Sequence, residues 1–410
     1  MHSWPRPYLP PALDVITHPD LTLTDSYSKK TYVVSDANIS MYVCGITPYD
    51  ATHLGHAATY VVFDLINRYL QASGKEVHFV ENVTDIDDPL FERAKRDGIR
   101  WEDLGKSQVE LFQADMTELR VFPPAPYLGV IESMPAIINA VARLVDSGKT
   151  YSLAGDIYLD LAQDPSALSK LPIDIESAIE IFSQRGGDPQ REGKRHPLDP
   201  LLWSCPKNDE PSWDAPFGKG RPGWHIECVA IALNNLPNAS RSSITIQGGG
   251  SDLIFPHHYM TGVQARCLTG EEFAAIYLHG GMIGLNGEKM SKSLGNLVFV
   301  SKLISEGKDP MAIRLALINR HYRNDVMWSD QLLTQAESFL RRISESLAKS
   351  DVAPTKPIIQ EMVNALADDL DAPRVLRALE QWCSETESGS HGGEAGELAR
   401  ALDLYLGIAI

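Results

Sequence analysis

Along the chain the apolar residues change from one spacing to another, and the changes outline an α/β core. The largely apolar run Ile39 to Val43 reads as a buried strand. After it, Val61, Val62, Leu65, Ile66, Tyr69 and Leu70 recur at helical spacing, and Gly74 supplies a helix stop. Val77, Phe79 and Val83 then alternate as a second strand, so Ile39 to Asp88 predicts a βαβ unit of a parallel sheet. Ligands in such folds bind outside the carboxyl ends of the strands, where Cys44 and Asn82-Val83-Thr84 fall.

The remaining pattern divides the chain. Pro5, Pro7, Pro10 and Pro11 predict an irregular N-terminal arm over 1–38, followed by the first half of a Rossmann-like catalytic domain over 39–120. A mixed region over 121–220 contains a helix from Met134 to Asp146 and a strand-like stretch from Asp156 to Leu161. A helix from Trp224 and the strand Ser243 to Gln247 resume the α/β pattern over 221–305. The last part, 306–410, is predicted helical: Met311, Ile313, Leu315 and Leu317 open one segment, and Phe339 to Leu347 and Ile358 to Leu370 form others. Ser384 to Glu394, acidic and glycine-rich, reads as a solvated loop before the apolar segment Leu398 to Ile410.

Composition narrows the partners. With 410 residues, 43% of them hydrophobic, the chain can bury a large core in roughly two or three domains. It shows no bilayer-spanning run and no secretion signal, which predicts a cytoplasmic enzyme without a membrane partner. Lys and Arg number 37 against 54 Asp and Glu, a net charge of −17. A phosphate backbone needs clustered cations, so a nucleic-acid partner is disfavoured. Five scattered cysteines suit reduced thiols or metal ligands better than a disulfide framework.

Two short segments carry the chemistry. His53-Leu54-Gly55-His56 lies at the strand-to-helix turn, where free N–H groups and the positive end of the helix dipole suit a phosphate. Gly55, lacking a side chain, would let a purine lie against the backbone. Lys289-Met290-Ser291-Lys292-Ser293, after Gly284-Leu285-Asn286-Gly287, offers two lysines to close over a triphosphate and stabilise charge on leaving pyrophosphate.

This pair resembles the HIGH and KMSKS signatures of class I aminoacyl-tRNA synthetases. The surrounding residues, Met41 to Tyr60, Asn82-Val83-Thr84-Asp85-Ile86-Asp87-Asp88-Pro89, Arg185-Gly186-Gly187-Asp188-Pro189, Gly223 to Cys228 and Gly248 to His258, are similar to the cysteinyl branch. Within it they resemble the ATP-dependent ligases that join cysteine to glucosaminyl-inositol in mycothiol biosynthesis. The resemblance implies a class I Rossmann-like fold with an inserted connective domain at 121–220 and a C-terminal helical bundle. It implies L-cysteine, ATP with Mg²⁺, and glucosaminyl-inositol as small-molecule substrates of a monomer, and formation of a cysteinyl adenylate. His53, His56, Lys289 and Lys292 would act on the phosphates, and Cys44, Gly45, Ile46, Thr47, Thr59, Asn82, Val83, Thr84, Trp224, Gly250, Ser251, Asp252 and Ile283 would surround the adenylate.

The resemblance also implies one Zn²⁺ held by Cys44, Cys228 and His257, with an open position for the substrate thiol, which binds such an ion far better than a serine hydroxyl. The related tRNA synthetases carry a further Glu ligand where this chain has Thr261, a poor zinc ligand. His225 and His258 are expected to be structural, with His258 the only one of the two considered for the metal. Cys205, Cys267 and Cys383 are expected in the core, and Asp85, Asp87 and Asp88 are expected to cap the following helix. Cysteinyl-tRNA synthetase is the alternative activity; an inactive adenylate-binding homologue is a third reading, which the intact signatures oppose.

Overall fold

The computed structural model describes residues 1–50, 52–290 and 295–410. Five parallel strands form the central sheet, in the spatial order Ala274–Gly280, Ile244–Gly250, Asn38–Val43, Glu76–Val83, Tyr127–Gly129. The chain order therefore reverses between Asn38–Val43 and Ile244–Gly250, a topological switch point whose crevice at the carboxyl ends is the usual ligand site of doubly wound sheets. The helix Leu54–Ala72 covers one face, burying Val61, Leu65, Ile66, Tyr69 and Leu70. Val130–Asp146 and Trp224–Asn235 cover the other.

Between the two halves, an antiparallel sheet is built from Thr150–Leu153, Asp156–Leu159, Leu201–Ser204 and Arg221–Pro222. Beyond Ala274–Gly280, the last central strand in the chain, helices dominate, among them Pro310–Ile318, Asp330–Leu347, Thr355–Ala367 and Ala372–Glu387. No helix among the described residues is long and apolar enough to cross a membrane.

Three details differ from the sequence reading. The arm is not irregular throughout: Leu21–Thr24 and Thr31–Val34 pair as an antiparallel hairpin, with Leu21, Leu23 and Val34 buried. Helix Ala372–Glu387 runs into the stretch expected to be a solvated loop, because Trp382, Cys383 and Thr386 give it an inward face. Asp87 does cap the next helix, Asp88–Asp97, but Asp85 accepts from the Ile131 N–H at 3.0 Å and so serves the start of Val130–Asp146.

The C-terminal helices are tied to the sheet by a buried ionic knot. Asp64, on the helix Leu54–Ala72, accepts from Arg68 Nε at 2.6 Å, from Arg314 Nη2 and from the Phe122 N–H at 2.8 Å. Asp64, Arg68 and Arg314 have no exposed side-chain surface. The arginines donate onward to the carbonyls of Arg120, Asp403, Leu119 and Leu406. Burial alone would raise the Asp64 pKa, but the two guanidiniums and the Phe122 N–H outweigh it and hold the carboxyl below its ordinary value.

Candidate active site and metal centre

The first signature is the start of the helix Leu54–Ala72. His53 is its N-cap, with Nδ1 accepting from the Gly55 N–H at 3.1 Å, and its ring stacks on His56 with centroids 3.8 Å apart. A Cβ on Gly55 would lie 2.8 Å from His53 Cε1, so here the missing side chain makes room for that imidazole. The turn is stapled to the segment beyond the second signature: Leu54 N–H donates to Val298 O at 2.9 Å, and Val300 N–H to Thr52 O at 3.1 Å. Lys292 lies outside the described residues, as does the side chain of Lys289, whose backbone ends the strand Glu288–Lys289.

The loop after Asn38–Val43 is set against the end of Glu76–Val83. Asn82 Oδ1 accepts from Gly45 N–H at 3.0 Å and from the Tyr42 hydroxyl at 2.9 Å, and Thr84 N–H donates to Ile46 O at 2.9 Å. The fit is close enough that a Cβ on Gly45 would fall 1.6 Å from the Asn82 carbonyl oxygen. Thr47 continues this loop. Thr59, one turn into the helix, donates to Gly55 O at 3.2 Å and faces Gly250, where Ser251 and Asp252 open a short turn at the end of Ile244–Gly250. Val83 and Ile283 have their side chains closed into the core, leaving only backbone for a ligand.

Four metal-competent side chains converge beside this loop. Cys44 Sγ and Cys228 Sγ are 3.8 Å apart, His257 Nε2 is 3.3 Å from Cys228 Sγ, and His258 Nε2 is 3.2 Å from Cys44 Sγ. Cys44, His257 and His258 each place a ligand atom within 4.8 Å of the others. Two thiolates about 2.3 Å from a tetrahedral ion would stand about 3.8 Å apart, so the sulfur spacing suits zinc without rearrangement. Thiols and imidazoles are a poor set for Mg²⁺ or Ca²⁺, which want oxygen.

The surroundings orient these donors. His257 turns Nδ1 to His225 Nδ1 at 2.9 Å, His258 turns Nδ1 to His279 Nε2 at 2.7 Å, and Trp224 stacks on His257 with centroids 4.1 Å apart. Arg185 holds the Phe255 carbonyl at 2.7 Å, fixing the turn that leads into His257. Burial keeps His225 and His258 neutral, well below the ordinary imidazole pKa. The hydrogen bond from Cys44, with His257, holds Cys228 well below the ordinary thiol range, while burial pushes Cys44 well above it. Thr261 spends its hydroxyl on the His258 carbonyl at 2.8 Å and lies outside the donor set. His258, set down as structural from the sequence, stands among the donors.

One buried acid escaped the sequence reading. Glu81 is fully buried against Gly45, and neither carboxylate oxygen has a hydrogen-bond partner among the described residues. The alternation Val77, Phe79, Val83 puts position 81 on the inward face, which was the available signal. Burial raises its pKa well above the ordinary value. The folded state therefore holds this proton more tightly than the unfolded one, and stability falls as pH rises above about 4.3, the ordinary glutamate value. Glu81→Met removes both the charge and the orphan oxygens. It is expected to raise the melting temperature at pH 8 and to lose that advantage toward pH 4.5; an equal effect at both pH values would contradict the buried-proton account.

A parallel sheet with a switch-point crevice, a histidine turn at a helix start and a loop pinned by Asn82 together define a catalytic domain of the class I synthetase type. Residues 30–338 match the family described as tRNA synthetases class I (C) catalytic domain. The chain is similar to methionyl-tRNA synthetase of Mycobacterium tuberculosis in complex with methionyl-adenylate, with a TM-score of 0.64 at 15% identity over 90% of this chain and 89% of that one, a likeness of fold. It is 48% identical to L-cysteine:1D-myo-inositol 2-amino-2-deoxy-alpha-D-glucopyranoside ligase 2 of Corynebacterium jeikeium (strain K411) and 48% identical to the corresponding ligase of Streptomyces griseus, covering 100% of both chains in each case. The chain belongs to this ligase family, whose catalytic part is the class I domain.

Proposed function

We propose that the protein activates L-cysteine with ATP and joins it to the amine of 1D-myo-inositol 2-amino-2-deoxy-α-D-glucopyranoside. In the first step a cysteine carboxylate oxygen attacks the α-phosphorus, the bond to the β-phosphate oxygen breaks, and pyrophosphate leaves. In the second the acceptor amine attacks the adenylate carbonyl, the bond to the phosphate oxygen breaks, AMP leaves, and the amine gives up a proton as the amide forms. The observation that carries the reading is the convergence of Cys44, Cys228, His257 and His258 beside the Cys44–Thr47 loop, which puts thiol-selective chemistry next to a nucleotide crevice.

Zinc is the ion proposed for the cluster, and when bound it would supply preference for a thiol over a hydroxyl. The chain does the rest. Trp224 walls the thiol site, the Gly45 and Thr47 backbone with His53 and His56 position the phosphates, and Lys289 and Lys292 neutralise departing pyrophosphate, to which Mg²⁺ brought in with ATP would add further positive charge. Asp252 is assigned to accept from the ribose hydroxyls or the substrate ammonium.

The acceptor separates this reading from a tRNA synthetase. Incubation with ATP and cysteine plus either the amino sugar or tRNA is expected to yield the cysteinyl amide and no charged tRNA. Cysteinylated tRNA without amide would reject the proposal. The net charge of −17 favours the small acceptor.

A further inference from the structure

A polar trough flanks the histidine turn. Two cavities of about 400 and 450 Å³ share Asp50, Arg93 and Phe299, each within the size range of small-molecule sites. Their place follows from the chain: Tyr49 and Asp50 succeed the Cys44–Thr47 loop, and Phe299 bridges to His53. Tyr49 N–H donates to Thr47 O at 2.9 Å, which ties the trough wall to the loop that follows Cys44. The inner wall of the trough thus continues directly from the loop that carries Cys44.

The lining has a definite character. Arg93 is shared between Asp50 and Asp97, and Arg96 reaches Asp97 at 3.1 Å, so these cations meet carboxylates, with Glu92 adding another at the rim. The other lobe is lined by Gln108, Ser301 and Ser305 beside Lys302. A polyphosphate would call for a surplus of positive charge. A polyol bearing a single amine calls for mixed donors and acceptors near neutrality, with a carboxylate close to the nitrogen. We propose that this trough seats the two hydroxylated rings of the acceptor, with Asp50 facing the amine; the assignment rests on the ligase reaction proposed above.

Gln108→Trp, which fills one lobe, and Glu92→Ala, which strips the rim, test it through two readouts on the full-length enzyme. One is amide formation as the amino-sugar concentration is varied; the other is cysteine-dependent exchange of pyrophosphate into ATP, which needs no acceptor. Gln108→Trp is expected to raise the KM for the amino sugar by about tenfold or more, with Glu92→Ala smaller and exchange unchanged in both. Exchange that falls in step with amide formation would overturn the assignment and mark the trough as part of the nucleotide path. An unchanged KM in both variants would also overturn it. Unsubstituted enzyme that performs exchange but makes no amide would sink the ligase reaction itself, a failure visible before any variant is made.

Discussion

Cys228→Ala is expected to lose bound metal and cysteine activation together. The substitution removes one of the two sulfur donors, the one 3.3 Å from His257 Nε2, and leaves Cys44 as the remaining sulfur donor beside His258. Outer-shell partners of metal ligands typically cost 10- to 100-fold when changed, so loss of a ligand should lower cysteine-dependent pyrophosphate exchange by more than about 100-fold. The check is metal content by elemental analysis alongside exchange. Cys267→Ala, at a buried cysteine outside the cluster, serves as the control and should keep both. A Cys228→Ala protein with full metal and full exchange would remove the basis of the thiol-selective site.

Asp64→Ala should strongly weaken the attachment of the C-terminal helices to the helix Leu54–Ala72. Among the described residues it leaves the buried Arg314 guanidinium without a paired carboxylate and Arg68 with only Asp403 at 4.0 Å, although each keeps carbonyl partners. Breaking one member of a buried ion pair costs about 3–5 kcal/mol. Urea unfolding measures it, and a loss below about 1 kcal/mol would mean the carbonyls alone satisfy the arginines. The pH dependence has a definite sign. Because the Asp64 pKa is depressed in the folded state, its contribution is present above the ordinary aspartate value near 3.9 and is lost as pH falls through the folded value. The gap between Asp64→Ala and the unsubstituted protein should therefore close in acid.

Much of the core was legible because its signal is local. The helical spacing of Val61 to Leu70 and the alternation of Val77, Phe79 and Val83 belong to single elements, and both elements formed. What stayed hidden depends on contacts between distant segments. Nothing near Asp85 says that its carboxylate will meet the Ile131 N–H, and the hairpin at Leu21–Val34 sits among turn-forming residues that mask two short strands. In the site, Cys44, Cys228 and His257 were named through a resemblance, whereas the nearness of His258 to Cys44 depends on how the turn Ile254–His258 is folded. Glu81 was readable from strand alternation, yet an acid on an apolar face runs against the expectation that such positions stay apolar.

The metal-competent side chains come from both sides of the long insertion: Cys44 ends the first strand of the sheet, while Cys228, His257 and His258 lie beyond residue 220. An ion held there would act as a rivet between the two parts of the sheet that the insertion separates in sequence. Its removal by a chelator should then register far from the sulfur atoms, as faster amide exchange along Asn38–Val43 and Ile244–Gly250, the neighbours that the rivet clasps.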